Sequence, residues 1–118
     1  YCGNPLGCAV SYAVIDYLVR HNVADDVEAK GNYMMTKLSE FQKMYPSLIR
    51  EVRGKGLLIA LVFHSDEQAQ TFYDQCFSNH LLVNLTQGNI IRLFPSLTIT
   101  MQELTIILDK LSLIFELN

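Results

Sequence analysis

One arginine lies inside an apolar segment in the last third of the chain. Arg92 interrupts the run Ile90-Ile91-Arg92-Leu93-Phe94-Pro95, and in an extended strand it points to the same side as Ile90 and Phe94. A guanidinium among such neighbours needs an anionic partner, because burying an unpaired charge is very costly. The partner is either an internal carboxylate, which would make Arg92 structural, or a ligand carboxylate held by two parallel hydrogen bonds. The local pattern leaves both alternatives open.

Other residue types that carry chemistry show no functional spacing. Gly54 and Gly56 form a G-x-G without the third glycine of a phosphate-binding loop, which favours a plain turn. The three cysteines, Cys2, Cys8 and Cys76, form no CxxC pair, and the three histidines are scattered. We therefore predict no metal site, and we expect reduced, mostly buried thiols in a cytoplasmic protein.

Composition indicates one folded domain over residues 1–118. Half of the residues are hydrophobic, 18% are charged and the net charge is −3. Without a Lys/Arg cluster, neither nucleic acid nor an anionic membrane is an expected partner. The uncharged N-terminal stretch meets Asp16 and Arg20 before it reaches the roughly 20 residues that span a bilayer. No basic segment marks a signal peptide.

Hydrophobic periodicity and capping residues predict the order α-α-β-β-α-β-β-α. Because the strands pair across short turns, we expect an α+β fold, with a mainly antiparallel sheet of three to four strands and helices on one face. The predicted helices are Pro5–Arg20, Ala24–Met44, Ser65–Asn79 and one after the capping box Thr100-x-x-Glu103. The predicted strands are Ile49–Val52, Leu57–Phe63, Leu81–Leu85 and Ile90–Phe94, with a tight turn at Arg53–Gly56 and with Leu57–Phe63 buried on both faces.

The first helix is unusual because its residues are apolar on nearly every side. Such a helix must be covered all round, which a chain of 118 residues struggles to do alone. The pattern predicts that another domain or subunit supplies part of the covering surface.

Three segments, in order, resemble motifs of the class III pyridoxal-phosphate-dependent aminotransferases, with the acetylornithine and ornithine branch nearest. Tyr1-Cys2-Gly3-Asn4-Pro5-Leu6 is similar to the family's T-[FY]-x-G-N-P-L. Val52-Arg53-Gly54-Lys55-Gly56-Leu57-Leu58 is similar to V-R-G-x-G-L, and the segment from Gly88 to Ile99 to G-N-[VI]-[IL]-R-x-x-P-P-L-x-[IV]. Each motif is weak alone, but the three together are specific and cover the chain from end to end.

The resemblance implies the C-terminal small domain of a fold-type I enzyme, with residues 1–22 as the connecting helix from a missing large domain. It also implies a homodimer that acts on small amino and oxo acids. Arg92 matches the arginine that binds the substrate carboxylate. Tyr1, Cys2 and Gly3 would lie at the edge of the phosphate site of the neighbouring subunit, directly after the family's phosphate-contacting threonine. The cofactor lysine and the acid on the pyridine nitrogen would lie upstream, so we expect the isolated chain to be inactive.

Two other functions remain open at this point. One is a non-enzymatic α+β binding module that pairs with another chain. The other is a small regulatory domain that uses Arg92 as an anion anchor. The amino donor is also open, since acetylornithine, ornithine, 4-aminobutyrate and diamine enzymes share these motifs.

Overall fold

A computed structural model describes residues 2–118 and contains four helices and one four-stranded sheet. The strands pair in the order β1-β2-β4-β3, and every pairing is antiparallel. This confirms the α+β class and the predicted order of elements. The elements are α1 (Pro5–Arg20), α2 (Val23–Met44), β1 (Ile49–Lys55), β2 (Leu58–Phe63), α3 (Asp66–Ser78), β3 (Asn84–Thr86), β4 (Ile90–Leu93) and α4 (Met101–Glu116).

The core lies between one face of the sheet and the helices α2, α3 and α4. Helix α2 buries an apolar stripe of Met34, Leu38 and Phe41, and α4 buries its own stripe in the same cluster, at Leu104, Leu108, Leu111 and Phe115. The ring of Phe72 on α3 packs at a tilt of 41° against the ring of Phe115 on α4, with 4.7 Å between the ring centres. Burying one such large side chain contributes about 1.5–3 kcal/mol, so this single layer holds the fold together.

Capping residues fix where three of the helices begin. The Asn4 side chain accepts a hydrogen bond from the Gly7 amide at 2.7 Å, ahead of Pro5. Thr100 and Glu103 exchange both bonds of the predicted capping box, at 3.0 and 3.1 Å. Ser65 accepts from the Gln68 amide, but Gln68 donates to the Ser47 carbonyl instead of returning to the cap. Ser65 therefore caps α3 with a single hydrogen bond, and the Gln68 side chain ties α3 to the segment before β1.

The first hairpin turns later than predicted. The prediction of a turn at Arg53–Gly56 was wrong, because β1 continues to Lys55 and pairs with Leu58. The chain reverses at Gly56 and Leu57, where Gly56 has a φ of +57° that suits glycine. As a result, Arg53 and Lys55 lie in β1, on the same face of the sheet as their partners Ala60 and Leu58 of β2.

Two further strand predictions need correction. Leu81–Leu85 is a strand only at Asn84–Thr86, since the Leu81 amide donates to the Cys76 carbonyl and closes the end of α3. β2 has the predicted central position, but it is not buried on both faces. Leu58 is 64% exposed and Ala60 is half-buried, while Val62 is buried. The face away from the helices is thus open near Leu58 and closed near Val62.

Helix α1 buries none of its residues. Large apolar side chains such as Leu6, Tyr12 and Val19 are more than 70% exposed. The radius of gyration is 16.5 Å, above the about 13 Å typical of a compact domain of this size, and the longest dimension is 50 Å. The chain alone therefore does not cover α1. Within residues 2–118, no helix is both long and apolar enough to cross a bilayer.

We expect Gly31→Ala to destabilise the fold by about 1–3 kcal/mol, because α2 packs directly on the first hairpin. A β-carbon on Gly31 would lie 2.3 Å from the Gly56 carbonyl oxygen. The midpoint of urea unfolding measures the effect. Asn32→Ala, at the next and exposed position, is the control and should not destabilise. An increase in stability for Gly31→Ala, as helix propensity alone would give, contradicts the packing.

Candidate anion-binding face of the sheet

The register of the sheet places two arginines in one row. Arg53 of β1 pairs with Ala60 of β2, and Ala60 pairs in turn with Arg92 of β4. Asn84 of β3 completes the row. Residues directly opposite each other in antiparallel strands project from the same face. The row therefore lies on the face opposite the core, and we call the surface formed by Arg53, Lys55, Leu58, Ala60 and Arg92 the open face.

Arg92 is exposed and, within residues 2–118, makes no ion pair or side-chain hydrogen bond. By strand alternation, Arg92 lies on the same face as Ile90, which is buried, and as Phe94, which is 57% exposed. The first of the two alternatives, an internal carboxylate partner, has no support in this part of the chain. The guanidinium is available to an anion from outside.

Two shallow clefts meet at Arg92. One, of about 320 Å³, runs past Asn84 to apolar side chains that include Leu82 and Phe94. The other, of about 490 Å³, runs across the open face towards β1. Its lining contains three cations and no carboxylate; the residues are Arg53, Gly54, Lys55, Leu58, Ile59, Ala60, Gln87, Ile90 and Arg92. Arg92 thus stands between an apolar pocket and a cationic one.

Sequence reasoning missed Arg53 and Lys55 as candidate site residues. They were assigned to a turn, where neither would have had a defined direction. A two-residue turn at Gly56 and Leu57 would have continued the alternation of β1 and placed both cations on the side of Ala60. Leu58, Ala60 and Val62 alternate with the core residues Ile59 and Leu61, so the side of Ala60 is the one that faces away from the core.

The N-terminal candidates are separate from this row. Tyr1 lies outside the residues that the structure describes. Cys2 and Gly3 are exposed in the turn before α1, and Gly3 adopts a left-handed φ of +74°. Neither residue lines the two clefts at Arg92. Their role at a neighbouring subunit's phosphate site stays a prediction.

The cysteines differ from the expectation of mostly buried thiols. Only Cys76 is buried, and Cys2 and Cys8 are exposed. The expectation was wrong because Cys2 and Cys8 belong to the α1 region, which the chain leaves uncovered. Burial raises the pKa of the Cys76 thiol to about 12, so it is neutral at physiological pH and packs as an apolar side chain. All three are free thiols, and residues 2–118 hold no cluster of three or more metal-ligand side chains.

Comparison with known proteins identifies the family. The model of the family "Aminotransferase class-III" matches residues 1–115. Among solved structures, the acetylornithine aminotransferase from Elizabethkingia anophelis is 32% identical with a TM-score of 0.91, and the match covers 98% of this chain and 31% of that one. The ornithine aminotransferase from Toxoplasma gondii is 30% identical with a TM-score of 0.89, covering 96% and 27%. The lysine aminotransferase of M. tuberculosis, at 16% identity, TM-score 0.83 and coverage of 88% and 24%, shares the fold.

The chain belongs to the class III aminotransferase family. Enzymes of this family use pyridoxal phosphate, and the Toxoplasma ornithine aminotransferase is described with that cofactor at its active site. The chain spans less than a third of the length of the solved structures that it matches.

The residues of this chain do not by themselves fit the cofactor. Pyridoxal phosphate bonds to a lysine amine and needs an acid at its pyridine nitrogen. Lys30 and Lys110 donate to backbone carbonyls, and Lys37 pairs with Glu40. Lys43 is exposed on α2, and Lys55 lines a cleft without a carboxylate. The described residues therefore do not supply the lysine and the acid that the cofactor needs.

Titration of thiols with a chromogenic disulfide reagent tests the assignment of the cysteines. We expect Cys2 and Cys8 to react in the native chain and Cys76 to react only after unfolding, because its burial both blocks access and disfavours the thiolate. The Cys76→Ala variant is the control and should lose only the thiol that appears on unfolding. Rapid reaction of a third thiol in the native chain contradicts the packing around Cys76.

Proposed function

We propose that this chain is the C-terminal small domain of an aminotransferase. The whole enzyme moves an amino group from an omega-amino acid or an acetylornithine-like donor to a 2-oxo acid. The observation that carries the proposal is Arg92, an unpaired and exposed guanidinium on the open face, at the arginine of the family motif. Similarity to an acetylornithine and an ornithine aminotransferase supports this choice of donor.

In this function Arg92 binds the carboxylate of the substrate. The two parallel N–H groups of a guanidinium match the two oxygens of a carboxylate, and the pair fixes the substrate's direction as well as its position. β4 is an inner strand, held by β2 on one side and by β3 on the other, so the base of the side chain is rigid. A carboxylate fixed in this way directs the amino or oxo group at the other end of the substrate to the cofactor.

The partners proposed for the chain follow from its uncovered surfaces. Helix α1 exposes several large apolar side chains together, among them Leu6, Tyr12 and Val19. A group of exposed apolar side chains, unlike a single one, is typical of an interaction site. We assign its cover to the large, cofactor-binding domain of the same enzyme, with residues 1–22 as the connection. A homodimer, in which Tyr1, Cys2 and Gly3 reach the phosphate site of the other subunit, belongs to the same proposal. A cytoplasmic location is supported by three free cysteines.

A second function rests on the same bare helix. A non-enzymatic module that pairs with another chain would also need an exposed apolar α1. It would not need an unpaired arginine on the open face, so the effect of changing Arg92 separates the two functions.

We expect Arg92→Gln to reduce kcat/KM of the whole enzyme about 100-fold or more, because two charge-assisted hydrogen bonds to the substrate are lost. Arg92→Lys keeps the charge but loses the fork, so its loss should be smaller. Steady-state kinetics with the amino donor and the oxo acid measure both variants. Lys43→Gln, which removes an exposed charge from α2, is the control and should stay near the unchanged enzyme. Unaltered kinetics in Arg92→Gln would refute the assigned role.

We expect the isolated chain of 118 residues neither to bind pyridoxal phosphate tightly nor to transaminate, because it offers no lysine in a cofactor-like setting. The absorbance spectrum of a mixture of the chain and pyridoxal phosphate measures this. A stable new band that survives dialysis, and that disappears in a Lys55→Gln variant, would show that the prediction is wrong.

A further inference from the structure

Helix α4 exposes an apolar stripe on the side that faces away from the core. Ile106, Leu113 and Leu117 are 56%, 60% and 63% exposed. They are seven and four residues apart, so they lie on one line along the helix. We call this line the outer seam of α4. The opposite side of α4 is filled by the core residues Leu104, Leu108, Leu111 and Phe115.

The spacing of the outer seam is that of a coiled coil. In a heptad written abcdefg, the a and d residues face the partner helix, and Ile106, Leu113 and Leu117 occupy d, d and a. Lys110 occupies the a position between them, and its ammonium donates to two backbone carbonyls at the end of α3. The charge of Lys110 is therefore already satisfied within the chain. The seam offers three apolar side chains to a second helix that lies alongside α4.

The charges beside the outer seam are acidic. Asp109 and Glu116 both occupy position g, are exposed and, within residues 2–118, form no ion pair. The other flank, position e, consists of Ile107 and Ile114, which pack towards the core. The e and g residues determine which helix a coiled coil accepts, so acidic g positions favour a partner that carries Lys or Arg.

A second copy of α4 does not supply these cations. In an antiparallel pair g lies beside g, so Asp109 and Glu116 would meet the carboxylates of their own counterparts. In a parallel pair g lies beside e, where α4 has only isoleucines. Because like charges repel and isoleucine offers no opposite charge, charge complementarity favours a different helix. The two carboxylates would also repel an anionic membrane surface.

We infer that the outer seam of α4 binds a basic amphipathic helix of another protein, whose Lys or Arg residues pair with Asp109 and Glu116. The seam is separate from the surfaces assigned to the large domain, since α4 packs on the face of the sheet opposite the open face. None of the seam residues lines the apolar cleft between α1 and Leu97. Three apolar anchors make a small contact, which is typical of transient complexes.

A pair of synthetic helical peptides tests the inference on the whole enzyme. Both carry Leu at a and d, and one carries Lys at e and g where the other carries Glu. We expect the lysine peptide to bind about tenfold more tightly or better, measured by fluorescence anisotropy, because only its charges complement Asp109 and Glu116. Leu113→Ser should weaken it about tenfold, since an apolar anchor is lost. Met44→Ser removes an apolar side chain that is also 60% exposed, from the end of α2, and should leave binding unchanged.

Reversal of the charges distinguishes the outer seam from general attraction to an acidic protein. Asp109→Lys together with Glu116→Lys should exchange the preference, so that the glutamate peptide binds more tightly. The inference requires both this exchange and the loss in Leu113→Ser, and the absence of either overturns it.

Two further measurements identify another occupant of the seam. If Leu113→Ser lowers the oligomeric state of the whole enzyme in sedimentation without peptide, the seam is an interface between copies and the inference fails. It also fails if Leu113→Ser lowers the thermal midpoint, because another part of the enzyme then covers the seam. The role proposed for Arg92 does not depend on these results, since Arg92 lies on the other side of the sheet.

Discussion

The register between β2 and β4 determines what the open face can do. Ala60 lies opposite Arg92, and Leu61 opposite Ile91, so one set of side chains enters the core while the other stays outside. A slip of one residue would reverse the two sets and bury the guanidinium. The core prevents that slip, since Leu61 and Ile91 are fully buried under α2, α3 and α4. The position of Arg92 on the open face is therefore a consequence of hydrophobic packing on the opposite side of the sheet.

The same packing covers one side of the sheet and leaves the other side exposed. Helices cover one face of the sheet, and the cluster around Phe63, Phe72 and Phe115 closes that layer. Nothing in residues 2–118 covers Leu58 on the open face, or Leu6 and Tyr12 on α1. Lys30 of α2 donates a hydrogen bond to the Ile99 carbonyl, in the segment that follows β4. This bond connects the helix layer to the chain just after the strand that carries Arg92. Within residues 2–118, the helices thus cover one side of the sheet, and α1 and the open face stay uncovered.

Much of this architecture could be predicted from the sequence, because local signals and the global fold agree. The Thr100 and Glu103 capping box, the α2 stripe from Met34 to Phe41 and the central place of β2 are signals of this kind. The errors occurred where a tertiary pairing overrode the local pattern. Gly54 suggested a turn, but its pairing with Ile59 keeps it in β1, and Leu81 suggested a strand, but its amide closes α3. Arg92 became a candidate because a charge interrupts an apolar run, whereas Arg53 did not, because its direction depends on the hairpin register.

If this chain is the small domain that we propose, the rest of the aminotransferase covers α1 and the open face. Hydrogen–deuterium exchange of the amides in α1 and β1, compared between the 118-residue chain and the whole enzyme, tests it most directly. A bare helix opens easily, whereas a helix packed within a domain opens only with much larger parts of the structure. We expect exchange in Pro5–Arg20 to be slower by orders of magnitude in the whole enzyme, while exchange in the helices α3 and α4 changes little. Equal exchange of Pro5–Arg20 in the two proteins would contradict it.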